Sequence, residues 1–250
     1  MSKPKVAAVI MTYNCASMVP RAYAQIPKHL VDDIIATDDG SKDGSHEAAK
    51  ALGIAAFHHA PNRGYGGNLK EGLRIALGRG ADYVVEVHGD GQFGTAALEP
   101  AMEHIGRGAG LILGSRFIVP GRARELGMPL VRYLANRGLS TFDRLVLRLP
   151  LSEFHTGFRI YSRAFLSKVP WEDNSDDYLF SFQIIAQAAW AGVPVAEVPV
   201  EADYRGEHTS HSLRGASVYA VRTFEVLGEY LLAKAGVRFS RTFPNRGAAS

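Results

Sequence analysis

Tyr83-Val84-Val85-Glu86-Val87-His88-Gly89-Asp90-Gly91-Gln92 joins an apolar, strand-like run to a tight polar turn spaced by glycines. Gly89 and Gly91 remove side chains on either side of Asp90, so the backbone can turn sharply and the carboxylate can project from a strand end. His88, Asp90 and Gln92 alternate along the chain and point the same way if strand geometry persists. Oxygen and nitrogen donors in that pattern suit a divalent metal carrying a diphosphate. A plain strand-to-helix turn with polar groups in solvent explains the same residues, so the neighbouring segments must decide.

Working outward toward the N-terminus, residues 6–11 form a near-continuous apolar run, the pattern of a strand covered on both faces, and Thr12-Tyr13-Asn14 closes it. A helix is expected over 19–29. A second short strand, 33–37, ends in Asp38-Asp39-Gly40-Ser41-Lys42-Asp43-Gly44-Ser45 and leads into a helix over 46–52. A third, 55–58, precedes Asn62-Arg63-Gly64-Tyr65-Gly66-Gly67-Asn68 and a helix over 69–77. Strand and helix alternating in this way predict a parallel sheet with helices on both faces, and open sheets of that kind bind ligands at the carboxyl ends of their strands. The glycines at 64, 66 and 67 lack the strand-adjacent glycine pair and the later acidic residue of a dinucleotide fingerprint. They serve either ligand contact or close packing of a loop on the sheet.

Beyond Gln92 a helix is expected over 95–105 and a strand over 110–116. Residues 119–129, rich in Pro, Gly and Arg, read as a mobile loop. Helical periodicity resumes over 130–149, with Leu130, Leu134, Leu145 and Leu149 at core-like spacings and the intervening arginines on a solvated face. Residues 153–162 form a compact polar and aromatic element, 178–191 a largely buried helix and 193–200 a strand. A histidine-rich loop over 203–212 and an amphipathic helix from near Ser217 complete the chain.

The 250 residues suffice for a full core, and 46% hydrophobic with 21% charged residues exclude a disordered class, so function resides in sites rather than bulk. One cysteine, Cys15, excludes an internal disulfide and a multi-cysteine zinc site. The formal charge is only +3, but arginines crowd 116–148 and 238–246, a pattern that serves phosphate, anionic lipid or nucleic acid. No signal peptide and no membrane-spanning run are expected; the longest candidate, 218–237, is interrupted by Arg222, Glu225, Glu229 and Lys234. Cytoplasm is the simplest compartment.

Taken in order, Thr12-Tyr13-Asn14, Asp38-Asp39-Gly40-Ser41 with Asp43-Gly44-Ser45, Asn62-Arg63-Gly64 with Gly67-Asn68, His88-Gly89-Asp90-Gly91-Gln92, Gly114-Ser115-Arg116 and His155-Thr156-Gly157-Phe158-Arg159 resemble the family 2 glycosyltransferases of GT-A fold. Within that family the chain is most similar to the dolichol-phosphate mannosyltransferase, or polyprenyl-phosphate glycosyltransferase, branch. The resemblance runs from about Val6 to Ser212. It implies an α/β nucleotide-diphospho-sugar transferase fold with a mostly parallel central sheet, a catalytic domain over 1–215, and an amphipathic helix with a basic tail over 216–250.

It further implies a donor side of Thr12, Tyr13, Asn14, Asp38, Asp39, Arg63, Asn68 and Gly89, where a phenol ring lies against a base and carboxylates accept from base or ribose donors. Asp43 reads as a turn cap. In the family, an Asp-x-Asp pair holds Mg²⁺ or Mn²⁺ against the diphosphate. Here the first position is His88, which leaves Asp90 with Gln92 and His88 as metal candidates and favours Mn²⁺ if the imidazole ligates. Arg116, Arg159 and Arg205 are the expected phosphate grips, with an ion pair between Arg159 and Glu153 as the structural alternative. Asp90, Glu153 and Arg159 form the expected catalytic set. Glu153 deprotonates a hydroxyl acceptor or orients a phosphate acceptor that is already ionised. His208 and His211 fall in a loop that the family closes over donor and metal.

The expected activity is therefore inverting transfer of a sugar from a UDP- or GDP-sugar to a polyprenyl phosphate. A soluble small-molecule or glycan acceptor is the alternative, and a nucleotide-sugar-binding subunit of little activity is the alternative from another class. Peripheral membrane contact through the C-terminal helix with Arg238 and Arg241 belongs to the first reading. No nucleic-acid partner is expected, and a homo-oligomer stays open.

Overall fold

A computed structural model describes residues 3–202 and 213–245. One seven-stranded sheet contains β1 (Val6–Thr12), β2 (Asp33–Asp38), β3 (Ala55–His58), β4 (Tyr83–His88), β5 (Leu111–Ser115), β6 (Arg159–Ser162) and β7 (Val195–Pro199), in the order β3-β2-β1-β4-β6-β5-β7. Among these strands β6 alone runs antiparallel, inserted between β4 and β5. The other neighbours are parallel. The helices are α1 (Val19–Gln25), α2 (Ser45–Ala51), α3 (Tyr65–Gly78), α4 (Leu98–Gly106), α5 (Arg122–Glu125), α6 (Leu130–Leu147), α7 (Arg163–Leu166), α8 (Phe180–Ala191) and α9 (Leu213–Lys234).

Strand β1 shows why the sheet is covered twice. Its side chains alternate, so Ala7, Val9 and Met11 join a core with Leu69 and Leu73 of α3, Ile184 of α8 and Tyr230 of α9. Val6, Ala8 and Ile10 join a second core with Val19 of α1, Ala49 of α2 and Ala101 of α4. Each large aliphatic side chain buried there contributes roughly 1.5–3 kcal/mol of transfer free energy. Close approach of α3 to the sheet depends on Gly72, where any Cβ would collide with Val9 Cγ1.

The parallel register brings the strand ends together. Thr12 lies opposite Asp38, and Met11 opposite His88, so the polar residues that follow these strands emerge on one edge. Because β6 is reversed, its first residue reaches the edge where its neighbours finish: Arg159 pairs with Glu86 on one side and Leu113 on the other.

Three local expectations change. Residues 119–129 contain the short helix α5, with Ala123 and Met128 buried. Residues 153–162 supply the central strand β6, whose pairing depends on distant neighbours rather than on its own four residues. Of the four leucines expected at core spacings, Leu130, Leu134 and Leu145 of α6 are 55%, 60% and 69% exposed, Leu149 just beyond the helix packs against the core, and the helix itself buries Ser140, Asp143 and Leu147. Periodicity identifies an apolar face, but not what that face meets. No helix among the described residues is long and apolar enough to cross a membrane.

Candidate active site

A cavity of about 440 Å³ opens at the carboxyl edge of the sheet, lined from the first half of the chain by Thr12, Tyr13, Asp39, Asn68, His88, Gly89, Asp90 and Gln92. From the second half come Arg132, His155, Gly157, Arg159, Tyr178 and Tyr219. Eight of the residues singled out in the first half of the sequence therefore meet in one place, together with Arg159.

Around β1 and β2 the expected donor residues divide into those that face the cavity and those that brace it. Asp38 is turned inward. Its carboxylate accepts from Thr12 Oγ1 at 2.8 Å and the Ser41 backbone N–H at 3.0 Å, and meets His58 Nδ1 at 2.7 Å. Burial opposes its ionisation, but hydrogen bonds from Ser41, His58 and Thr12 outweigh that and hold its carboxyl below the usual range. Asn14 is likewise structural: its Oδ1 accepts from the Lys42 N–H at 3.0 Å and its own N–H donates to Ser41 Oγ at 2.9 Å. Asp43 is the expected cap, accepting from Ser45 N–H at 3.0 Å and Ala16 N–H at 2.9 Å.

Facing the cavity, Asp39 fixes the glycine-rich segment by accepting from the Arg63 N–H at 2.7 Å. Asn68 donates to the Thr37 carbonyl at 3.1 Å, tying the start of α3 to β2. Tyr13 remains 48% exposed at the rim. The Arg63 side chain is half-exposed, 3.7 Å from Glu71 and outside the lining. A Cβ on Gly64 would come 2.6 Å from the Asp176 carbonyl, so that glycine packs the loop against the segment before α8 as well as lining the cavity.

The turn after β4 is pinned to β1. Gly89 donates its N–H to Met11 O at 2.8 Å, and a Cβ there would meet that same oxygen at 2.6 Å and Cys15 Sγ at 2.9 Å. Gly91 adopts φ 62°, the left-handed conformation that glycine takes freely. Asp90 Oδ1 accepts from the Gln92 N–H at 3.0 Å, and its carbonyl accepts from Arg21 at 3.0 Å.

His88 is held from below by Glu86, whose Oε1 lies 2.9 Å from Nε2. Glu86 is buried and also accepts from the hydroxyls of Tyr65 and, at 2.6 Å, Tyr161; Arg159 sits 3.6 Å away. Burial resists its ionisation, yet Arg159 and the hydrogen bonds from His88 and Tyr161 hold the carboxyl below its usual range. An ionised carboxylate only accepts, so the proton between the two groups belongs to Nε2 and the lone pair of neutral His88 belongs to Nδ1. A carboxylate behind a metal-ligating histidine fixes the ring's tautomer and orientation in this way.

Among the described residues no three His, Cys, Asp or Glu side chains form a ready-made metal cage. His88, Asp90 and Gln92 nevertheless line the cavity together, a set of oxygen and nitrogen donors that would fit an ion completed by a diphosphate. Gly157 belongs to the same arrangement, since a Cβ there would collide with Phe93 and come 3.0 Å from His88 Cε1.

Glu153 and Arg159 are not partners. Glu153 is fully buried and bound to Arg116 through the Arg116 N–H at 2.7 Å and Nε at 2.9 Å. Neither Glu153 nor Arg116 lines the cavity, whereas Arg159 does. Arg159 pairs with Glu86 instead. Arg205, His208 and His211 lie outside the described residues.

Several residues in or under the cavity were given no role from the sequence: Glu86 beneath it, Tyr65 stacked on Tyr178 at 4.7 Å, Arg132, Tyr219, and His155, quoted only as part of a motif, with its partner Asp143. His155 Nε2 meets Asp143 Oδ2 at 2.9 Å, and its ring stacks on Phe182. Glu86 did leave a signal, because a carboxylate inside an otherwise apolar strand must find a buried partner.

An open, mostly parallel sheet with a nucleotide-sized cavity at its carboxyl edge and a carboxylate turn at the floor defines a nucleotide-diphospho-sugar transferase fold. Residues 7–169 match the pattern of "Glycosyl transferase family 2", and the chain belongs to that family. Polyprenol monophosphomannose synthase of Mycolicibacterium smegmatis is 28% identical over 201 residues, covering 77% of this chain and 75% of the relative. UDP-N-acetylglucosamine–dolichyl-phosphate N-acetylglucosaminyltransferase of Methanococcus voltae is 26% identical over 247 residues, covering 91% and 95%. In fold the chain is similar to glucosyl-3-phosphoglycerate synthase of Mycobacterium tuberculosis in complex with Mn²⁺, UDP-glucose and phosphoglyceric acid, with TM-score 0.62 and 18% identity over 95% of this chain and 82% of that one.

Proposed function

We propose that this glycosyltransferase moves a hexosyl group, with inversion, from a UDP- or GDP-sugar to a polyprenyl phosphate presented at the cytoplasmic membrane face. The observation that carries the reading is the set of donors on the second wall. Its described residues include Arg132, Arg159 and His155 and no carboxylate, Arg159 and His155 being backed from behind by Glu86 and Asp143, whereas Asp39 and Asp90 belong to the opposite wall. A basic wall suits an anionic acceptor, and a phosphate acceptor needs positioning rather than deprotonation. Glu153 fits that assignment, since its carboxylate is committed to Arg116. The named activities of the mycobacterial and methanococcal relatives act on lipid phosphates too.

In this reading Tyr13 and Asp39 hold the nucleoside, with Asn68 setting the loop behind them. Asp90 and His88, with Gln92, would hold Mn²⁺ or Mg²⁺ at the diphosphate; the ion supplies charge neutralisation for the leaving group. The acceptor phosphate oxygen forms the new bond at the anomeric carbon as the bond to the donor diphosphate breaks, and the nucleoside diphosphate carries away the electron pair. Arg159 supports the charge on that side through the field of a guanidinium anchored by Glu86. Arg116 acts through the position of the segment around Glu153 and His155, to whose carbonyl it donates at 3.1 Å.

The test incubates purified protein with UDP- and GDP-sugars and Mn²⁺ and follows nucleotide release. Release that requires polyprenyl phosphate supports the proposal. Release driven by a soluble phosphate such as phosphoglycerate replaces it with the small-molecule reading, and nucleotide-sugar binding without turnover replaces it with a binding subunit.

A further inference from the structure

We propose that His155, oriented by Asp143, is the proton-holding residue of the acceptor complex: its Nδ1 takes the last proton of the acceptor phosphate and leaves the attacking oxygen bare. The inference rests on the phosphate-acceptor reading above and gives that reading a residue that handles the proton.

The pair is buried, directional and turned toward the cavity. Asp143 lies on the inner face of α6 with Ser140 and Leu147, and is the only acidic residue of that helix. Its Oδ2 stands 2.9 Å from His155 Nε2, with the Asp143 and His155 side chains only 2% and 7% exposed. Phe182 of α8 lies nearly parallel to the imidazole, at 5.9 Å and 15°, and holds the plane of the ring. An ionised carboxylate only accepts, so Nε2 keeps its proton and Nδ1 holds the lone pair of the neutral ring. Among the described residues Nδ1 meets the hydroxyl of Tyr219, at 3.4 Å, near the limit of a hydrogen bond. Burial pushes the Tyr219 phenol far above its usual range, so it stays a donor.

A purely structural pair would pin α6 to the segment before β6, but that segment is already fastened. Ser140 Oγ accepts from the Phe154 N–H at 3.2 Å, and Arg116 donates to the His155 carbonyl at 3.1 Å while pairing with Glu153. A buried carboxylate that adds little to this fastening is a net cost unless a positive charge meets it. The groups that face His155 are Asp143 from α6, Tyr219 from α9 and the apolar Phe182 from α8, with Arg132 of α6 and Arg159 of β6 lining the same cavity. Among them only the imidazole is of a type that changes charge near neutral pH. Beside it Thr156 Oγ1 and Arg159 Nε are buried without a hydrogen-bond partner among the described residues, although both side chains line the cavity. Buried donors left open in this way fit an oxygen-rich anion seated against His155.

A phosphate monoester loses its second proton near about pH 6, so the acceptor arrives in either of two forms. From the monoanion, the P–O–H proton passes to Nδ1; with the dianion, the ring takes its proton from solvent. Both routes end in one complex, a fully ionised phosphate against an imidazolium whose other N–H rests on Asp143. The bare oxygen then has its electron pair free for the anomeric carbon. The product is a phosphodiester with one negative charge fewer, so the imidazolium holds it less tightly and returns the proton to solvent as it leaves.

Protein saturated with Mn²⁺ and UDP or GDP is titrated calorimetrically with farnesyl phosphate at about pH 8, where the ester is a dianion, in buffers of different ionisation enthalpy. The expected result is net proton uptake on binding and, by linkage, an affinity that falls as pH rises. His155→Gln and Asp143→Asn should each abolish the uptake and raise the KM for farnesyl phosphate at least about tenfold, the loss expected for one charge-assisted hydrogen bond, while the KM for the nucleotide sugar stays unchanged. Wild-type binding without uptake, or uptake that survives both substitutions, overturns the proposal. The first of these outcomes needs no variant to fold. Turnover of farnesyl phosphate without proton uptake removes His155 from the path of the proton and keeps the acceptor reading. Uptake on binding phosphoglycerate but not farnesyl phosphate keeps the proton site and replaces the lipid acceptor, and failure of both phosphates to bind removes both ideas.

Discussion

Glu86 Oε1 and His88 Nε2 stand 2.9 Å apart on one side of β4, and this bond connects the buried charge network of the sheet to the cavity. Arg159, Tyr65 and Tyr161 converge on the same carboxylate. Removing either charge strands the other in the core. Glu86→Gln and Arg159→Met should each cost about 3–5 kcal/mol, whereas the double substitution should cost clearly less than the two combined. Urea unfolding of the four proteins measures the coupling, and additive losses would show that the pair is independent.

His88 substitutions test the metal side. With Glu86 holding Nε2, His88→Ala should weaken Mn²⁺ binding in the presence of UDP or GDP by roughly 10–100-fold. His88→Asp should restore binding and move preference toward Mg²⁺, because oxygen replaces imidazole nitrogen. Electron paramagnetic resonance of free and bound Mn²⁺ reads this without turnover. Activity with Mg²⁺ that equals activity with Mn²⁺ and survives His88→Ala would remove His88 from the metal shell.

Acid stability should reflect Asp38 as well as Glu86. Both carboxyls are held below their usual range in the folded chain, by hydrogen bonds at Asp38 and by Arg159 with hydrogen bonds at Glu86. Such groups bind protons more readily when unfolded. Their contribution is therefore complete above the ordinary carboxyl range, about pH 4, and is lost as pH falls through the depressed folded values. Asp38→Asn should flatten the fall of unfolding free energy below about pH 4, and an unchanged acid limb would contradict the hydrogen bonding seen around it.

Glu153→Gln distinguishes a base from a brace. The Arg116 pairing predicts slower turnover through misplacement of the His155 segment, while the pH dependence of kcat keeps its shape. Arg116→Lys should produce a similar defect, because a lysine cannot reproduce the guanidinium contacts. Loss of the acidic limb of the profile in Glu153→Gln alone would make Glu153 the base and point to a hydroxyl acceptor.

Packing of α3 on β1 offers a test by repair. Gly72→Ala drives a methyl group into Val9 and should destabilise by about 1–3 kcal/mol. Val9→Ala opens that space, so the double variant should recover part of the loss in thermal unfolding. A neutral Gly72→Ala would mean that α3 can shift without cost.

The legible parts of this molecule are those encoded by local pattern. Apolar runs ending in Thr12, Asp38 and His88 announce parallel strands, and parallel strands share an edge, so the sequence pattern alone brings Asp39, Asn68 and Asp90 together. Register was not legible. The Glu86–Arg159 pair crosses from β4 to β6, and nothing in four residues of β6 specifies an antiparallel place between two parallel neighbours. The same limit explains why an ion pair with Glu153, its neighbour in sequence, stands as the structural alternative for Arg159. On α6 the leucine spacing was visible, but burial depends on what packs against the helix, and there the inward positions hold Ser140 and Asp143.

The reversed direction of β6 also divides the labour of the chain. One cavity wall consists of residues leaving the forward strands in the first half of the sequence; much of the other consists of residues entering the backward strand in the second half. The two walls therefore have separate coding segments that share only the floor of the sheet. Insertions and substitutions between β5 and β6 can reshape what the second wall accepts while the first keeps its grip, so a single donor-side architecture can diversify across acceptors without being rebuilt.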